Sequence, residues 1–135
     1  MQERTARLKL RASERVRKTQ EIDRLFREGK IVRGPNFRVH YLLRDRAEAP
    51  AVRAAFVAGK RIGKSVVRSR IKRLLREAFR RIKAELQTEP IDLVFVASRD
   101  FADARATGVA GEMRDLLQRA GLLPSAPPGS EDGRP

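Results

Sequence analysis

The 135-residue chain reads as a single α+β domain. Three patterns predict it. An alternating stretch at 36–44 and two short β-branched runs at 52–58 and 91–97 carry the period of strands. A long stripe over 65–86 carries the period of a helix, and shorter helical patterns stand near each end. With 41% hydrophobic residues, a chain of this size buries about two-thirds of the surface its unfolded form exposes. A real core is expected despite 36% charged residues.

Taken in order, the first helix covers 20–28, with Thr19 as N-cap, Ile22, Leu25 and Phe26 on one face, and Gly29 at the C′ position. In NFRVHYLLR, Phe37, Val39, Tyr41 and Leu43 point one way, while Arg38, His40, Leu42 and Arg44 point the other. That is a half-buried strand with a partly basic outer face. DRAEAP makes a turn and Val52 to Ala58 a second strand. The helix over 65–86 starts at Ser65 as a cap. Its stripe is Val67, Ile71, Leu74, Leu75, Ala78, Phe79, Ile82 and Leu86. After Pro90, Ile91 to Ala97 is short and β-branched, a third strand. Val109, Met113, Leu116, Leu117 and Ala120 form a closing helix that stops at Gly121. The end, PSAPPGSEDGRP, is too rich in Pro, Gly and Ser to pack. The expected organisation is a basic arm at 1–13, one domain at 14–123 and a disordered tail at 124–135.

Composition removes several function classes. The chain has no cysteine, which excludes a disulfide scaffold, a Cys-based zinc site and a thiol nucleophile. Its single histidine, His40, excludes multi-histidine metal sites and any triad built on another histidine base. No run of 18 apolar residues predicts a membrane span, and the basic N-terminus lacks the apolar segment of a secretory signal. The expected compartment is the cytoplasm.

The formal net charge is +14, so polyanions are the expected partners. Nucleic acid is favoured over an anionic membrane because no isolated amphipathic anchor with exposed aromatics appears. The charge is organised. Residues 60–83 hold eleven basic groups against one acid, whereas 84–135 hold five against nine. A merely solvated helical face mixes signs to gain i,i+4 pairs. Here only Glu77 offsets Arg68, Arg70, Lys72, Arg73, Arg76, Arg80, Arg81 and Lys83, and the like charges repel at i,i+3 and i,i+4. A phosphate backbone relieves that repulsion. Just upstream, Lys60, Arg61, Gly63 and Lys64 lead into the positive end of the helix. GKRIGKS is one residue short of a P-loop, and no acidic strand follows to complete a nucleotide site.

KRIGKSVVRSRIKRLLREAF (60–79), lying between VRAAFVA and IDLVFVA, resembles the signature of the bacterial ribonuclease P protein component. ERVRKTQEIDRLFREGKIVRGPNFRVHYLLR (14–44) is similar to the same family's first helix and first long strand, so the resemblance covers about 14–123. It implies an α-β-β-β-α-β-α sandwich with a central mixed four-stranded sheet. It also implies a left-handed βαβ crossover, against the general right-handed preference. Further implied is a non-catalytic subunit of an endoribonuclease: an RNA subunit holds Mg²⁺ and cuts precursor tRNA, while the protein supports the RNA and binds the 5′ leader.

Carried over residue by residue, the family's Arg-Asn-Arg motif facing the RNA subunit corresponds to Arg68, Ser69 and Arg70, with Ser in place of Asn. Lys60, Arg61, Lys64, Lys72, Arg73 and Arg76 extend that surface. The leader cleft, between first helix and sheet, corresponds to Ile22, Phe26 and His40. Ile22 and His40 stand where aromatics are common, and His40 supplies a smaller ring for base stacking. Arg38 shares the outward face and is placed to hold a leader phosphate. Arg99 stands one place after the usual arginine position at the end of the last strand.

No carboxylate pair suits acid/base work, since Asp92, Asp100 and Asp103 lie in the acidic C-terminal third. No catalytic residue, protein-held metal or small-molecule substrate is therefore expected. The alternative readings are a ribosome-associated structural RNA binder and a protein-only nuclease, the latter lacking convergent acids.

Overall fold

Two strands of unlike pattern determine the architecture. Phe37–Leu43 alternates and so needs cover mainly on one face, whereas Ile91–Ala97 is buried at every position and must be covered on both. The structure, a computed structural model, describes residues 19–44, 52–86 and 90–124. The elements are α1 (Thr19–Glu28), β1 (Lys30–Arg33), β2 (Phe37–Leu43), β3 (Val52–Val57), α2 (Ser65–Ile82), β4 (Ile91–Ala97) and α3 (Ala106–Arg119). Short 3₁₀ turns, Lys60–Ile62 and Lys83–Glu85, flank α2. The order α-β-β-β-α-β-α is the one the resemblance implies.

The four strands form a mixed sheet in the order β1-β2-β4-β3. β2 is antiparallel to β1 and to β4, and β3 is parallel to β4, joined to it by the α2 crossover. The register sorts side chains into rungs. Val32, Val39, Phe95 and Phe56 form one rung of the face that α2 and α3 cover. There Ile71, Leu75, Ala78, Phe79 and Ile82 of α2 meet Val109, Ala110, Met113, Leu116 and Leu117 of α3. Phe95 is central, stacked on Phe56 at 5.6 Å and tilted against Phe79 at 5.5 Å. Truncating it to Ala costs about 3–5 kcal/mol.

The opposite face is thinner. Leu25 of α1 packs on Val94 and Val96, with Ile22, Leu42, Ala55 and Val57 around them. This single helix leaves part of the sheet open beside it, and the rungs there run Arg33–Arg38–Val96–Val57, then Ile31–His40–Val94–Ala55, then Leu42–Asp92–Arg53. An apolar middle thus lies between two charged ends.

The structure corrects several local expectations. α1 begins at Thr19 itself, one residue before the expected start. Lys64, not Ser65, is the N-cap of α2, with no side-chain cap hydrogen bond. The helix over 65–86 ends at Ile82, and a 3₁₀ turn completes the span to a buried Leu86. Ala58 lies just beyond β3. Gly29 does not use a left-handed conformation. It is required for close approach, since a Cβ there would lie 2.5 Å from the Leu25 carbonyl oxygen and 2.6 Å from that of Tyr41. The DRAEAP turn, the 1–13 arm and nearly all of the expected tail lie outside the described residues.

Candidate nucleic-acid interface

The basic ridge follows from the α2 stripe. Once the apolar side faces the sheet, the remaining arc must carry the cations. Arg68 and Arg70 stand at opposite margins, and each is anchored to a carbonyl. Arg68 donates its Nε–H to Gly63 O at 3.1 Å, and Arg70 donates its Nε–H to Ala102 O at 2.6 Å. Each fork keeps its terminal nitrogens for a ligand, in a fixed direction. Ser69 and Arg73 are exposed on the crest between them. Lys60, Arg61, Lys64, Lys72 and Arg73 make no ion pair among the described residues. Glu77, the one acid of the helix, pairs with Arg80 and lies 3.8 Å from Arg81, which neutralises the C-terminal end alone. Arg76, expected on the same surface, lies with its guanidinium 5.7 Å from the Phe56 ring centre and stabilises the packing of α2 on β3.

On the other face of the sheet, α1 and β2 bring Ile22, Phe26, Arg38 and His40 to one region. Ile22 is half-buried in the apolar wall. Phe26 is 41% exposed and meets the His40 ring edge-on, centroids 4.7 Å apart. His40 itself is only 6% exposed. The expectation of His40 as an open stacking ring is therefore corrected: the accessible ring is that of Phe26, with the imidazole beneath it. Arg38 donates Nε–H to His40 Nε2 at 2.9 Å. Burial, with Arg38 and Arg33 nearby, pushes the imidazole down to about 4, so it is neutral at pH 7.

Arg33 and Arg61 were absent from the expected cleft. Both act on Arg38, whose pKa falls below its ordinary value through burial and then through these two neighbouring charges. Arg61 belongs to the connector before α2, so the charge of the basic ridge reaches Arg38 on this face. At the far end of the cleft face, Asp92 accepts a bidentate pair from Arg53 (2.9 and 2.8 Å), and Arg44 Nε lies 3.0 Å away. Arg99 is exposed just past β4. The arrangement offers cations, one accessible ring and an apolar floor, the chemistry that suits phosphates and an unstacked base.

The chain matches the family model described as Ribonuclease P over residues 10–121. It is 35% identical over 113 residues to the ribonuclease P protein component of Clostridium novyi, covering 84% of this chain and 98% of that relative. Against the same component of Caldanaerobacter subterraneus it is 37% identical over 108 residues, covering 80% and 90%. Its fold is similar to that of the Staphylococcus aureus RNase P protein, with TM-score 0.69 at 22% identity and coverage of 82% and 98%. The Thermotoga maritima RNase P protein gives 0.67 at 25% identity, covering 78% and 96%.

Proposed function

This chain belongs to the ribonuclease P protein component family, and from that premise we propose that it is the non-catalytic protein subunit that docks on a catalytic RNA and holds the 5′ leader of precursor tRNA for 5′-end maturation. The α2 ridge, with Lys60, Arg61, Lys64, Arg68, Ser69, Arg70, Lys72 and Arg73, grips the RNA subunit through phosphates. The face beside α1, with Phe26, Arg38 and Arg33 over the Ile22–Leu25 wall, takes the single-stranded leader. The observation that carries this reading is the run of cations from Lys60 to Arg73 without an acidic partner among the described residues. The charge of its Arg61 also reaches Arg38 on the face beside α1.

Mg²⁺ enters this reading with the RNA, where it supplies the cleavage chemistry. Among the described residues no three acids or histidines gather into a cluster, and Asp92 is enclosed by arginines. What the α2 cations do is screen phosphate repulsion, so that the RNA folds at lower Mg²⁺. No helix among the described residues is long and apolar enough to cross a membrane.

Reconstitution tests the proposal. The chain alone should leave precursor tRNA intact, and adding it to a bacterial ribonuclease P RNA should restore cleavage at Mg²⁺ levels where the RNA alone is slow. Cleavage by the protein without RNA, or no effect on the RNA, overturns it. A structural RNA binder of the ribosome would bind RNA without that rescue.

A further inference from the structure

The turn between β1 and β2 places Arg33 and Arg38 opposite each other on one rung, and they repel. Burial and the Arg33 charge both lower the Arg38 pKa, so nothing within the pair keeps the two guanidinium groups together. Arg38 is held on its own face by its bond to His40, whereas the turn that carries both residues is restrained from the far side of the sheet. Glu112 of α3 accepts the Asn36 backbone N–H at 2.9 Å through Oε2 and the Asn36 Nδ2–H at 2.8 Å through Oε1. Further along the same helix, Arg119 donates through Nη2 to the Arg33 carbonyl at 2.9 Å. Gly34 permits the contact, because a Cβ there would lie 3.0 Å from Glu112 Oε2 and 3.1 Å from Leu116 Cδ1. The turn is closed by Gly34 N–H on Phe37 O at 3.0 Å and by Ser98 N–H on Asn36 O at 2.9 Å.

The side on which this carboxylate stands matters. α3 packs on the face of Phe37 and Val39, whereas Arg33 and Arg38 project from the other. Glu112 therefore grips the backbone that carries the arginines without pairing with their side chains. An acid on the cleft side would fix them too, but would cancel the charge a phosphate needs. This gives a role to part of the acidic C-terminal third.

We propose that Glu112 is a positioning residue for leader binding: its paired hydrogen bonds to Asn36 hold the β1–β2 turn so that Arg33 and Arg38 meet leader phosphates as a fixed pair. The inference rests on the leader-binding reading of the cleft given above. The test compares holoenzyme affinity for precursor tRNA with that for the same tRNA lacking its leader, across salt concentrations. In Glu112→Ala the leader-dependent gain should fall on the order of fivefold, a fraction of a full charge-assisted contact. Its salt slope should drop by about one, with affinity for the RNA subunit unchanged. Glu112→Gln, which keeps one acceptor, should fall between. Asn36→Ala, which leaves the backbone bond, gives the same intermediate effect if Glu112→Ala does not fold. Glu85→Ala breaks an ion pair that ties α3 to a neighbouring element, with Arg114 at 2.7 Å, and should leave the leader gain intact. Arg38→Ala separates the two failures. If Arg38→Ala loses the gain while Glu112→Ala and Asn36→Ala keep it, the positioning role is overturned. If Arg38→Ala keeps the gain, the cleft reading itself fails. An equal loss in Glu85→Ala reduces Glu112 to a general stabiliser and also overturns the proposal.

Discussion

Arg38 donates its Nε–H to His40 Nε2 two residues along the same strand face, at 2.9 Å. That bond needs an unprotonated Nε2, so the ring proton sits on Nδ1, which is buried without a hydrogen-bond partner among the described residues. Protonating the ring would break the Arg38 bond and add a third cation beside Arg33 and Arg38.

The consequence is a defined pH dependence. The folded-state pKa of His40, about 4, lies below the ordinary value near 6.5. Between these values the unfolded chain binds the proton and the folded chain does not, so stability falls as pH drops through that window. Urea unfolding should show a loss of about 2 kcal/mol between pH 7 and pH 5 from this residue alone. His40→Phe should flatten the profile over that interval. A wild-type profile that is already flat, or one that His40→Phe leaves unchanged, rules out the buried neutral imidazole.

How much of this was legible in sequence depends on the range of the interaction. The α2 stripe and the alternation of β2 are set by local spacing, and both stand where they were expected up to Ile82, where a 3₁₀ turn replaces the last helical turn. β1 is not legible from periodicity: KIVR has four residues between Gly29 and Gly34, and only Val32 turns to the core. Without β1, the Arg33–Arg38 rung cannot be foreseen. The shared face of Arg38 and His40 follows from period 2, but burial of the imidazole depends on Phe26, brought over it by α1 from elsewhere in the chain. The Glu112–Asn36 contact spans 76 residues and leaves no local signal.

Gly29 supplies a test of the fold near the cleft. The Leu25 and Tyr41 carbonyl oxygens that a Cβ would strike are backbone atoms and cannot swing aside. Gly29→Ala should therefore force α1 away from β2, at a cost of about 1–3 kcal/mol. Thermal unfolding measures it. A neutral or stabilising outcome, as expected where a glycine merely sits in open space, would mean that α1 does not pack this closely on the strand.

On the ridge, Arg68 and Arg70 combine charge with direction. Replacing either with Ala should weaken association with the RNA subunit and lower the salt slope by about one per phosphate contact. Arg70→Lys keeps the charge but loses the fork that bonds Ala102 O. Affinity should therefore fall while most of the salt slope survives. Titrations of the RNA subunit at several salt concentrations distinguish these outcomes. Unchanged affinity and slope in Arg68→Ala and Arg70→Ala would remove α2 as the docking face.

Leu25 and Phe26 are adjacent on α1, yet they should respond in opposite ways. Leu25 is fully buried against Val94 and Val96, whereas Phe26 is 41% exposed. Leu25→Ala should cost about 2–5 kcal/mol of stability. Phe26→Ala removes a ring that is partly open to solvent and covers the His40 ring alone among the aromatics, so its unfolding midpoint at pH 7 should move far less. Its loss should appear in binding instead, because stacking one base on an aromatic ring contributes about 1–3 kcal/mol. Affinity for precursor tRNA should drop by roughly tenfold, and affinity for mature tRNA, which has no leader, should hold. If Phe26→Ala weakens both substrates equally, or lowers stability as much as Leu25→Ala does, the ring is part of the core and the leader must be held elsewhere.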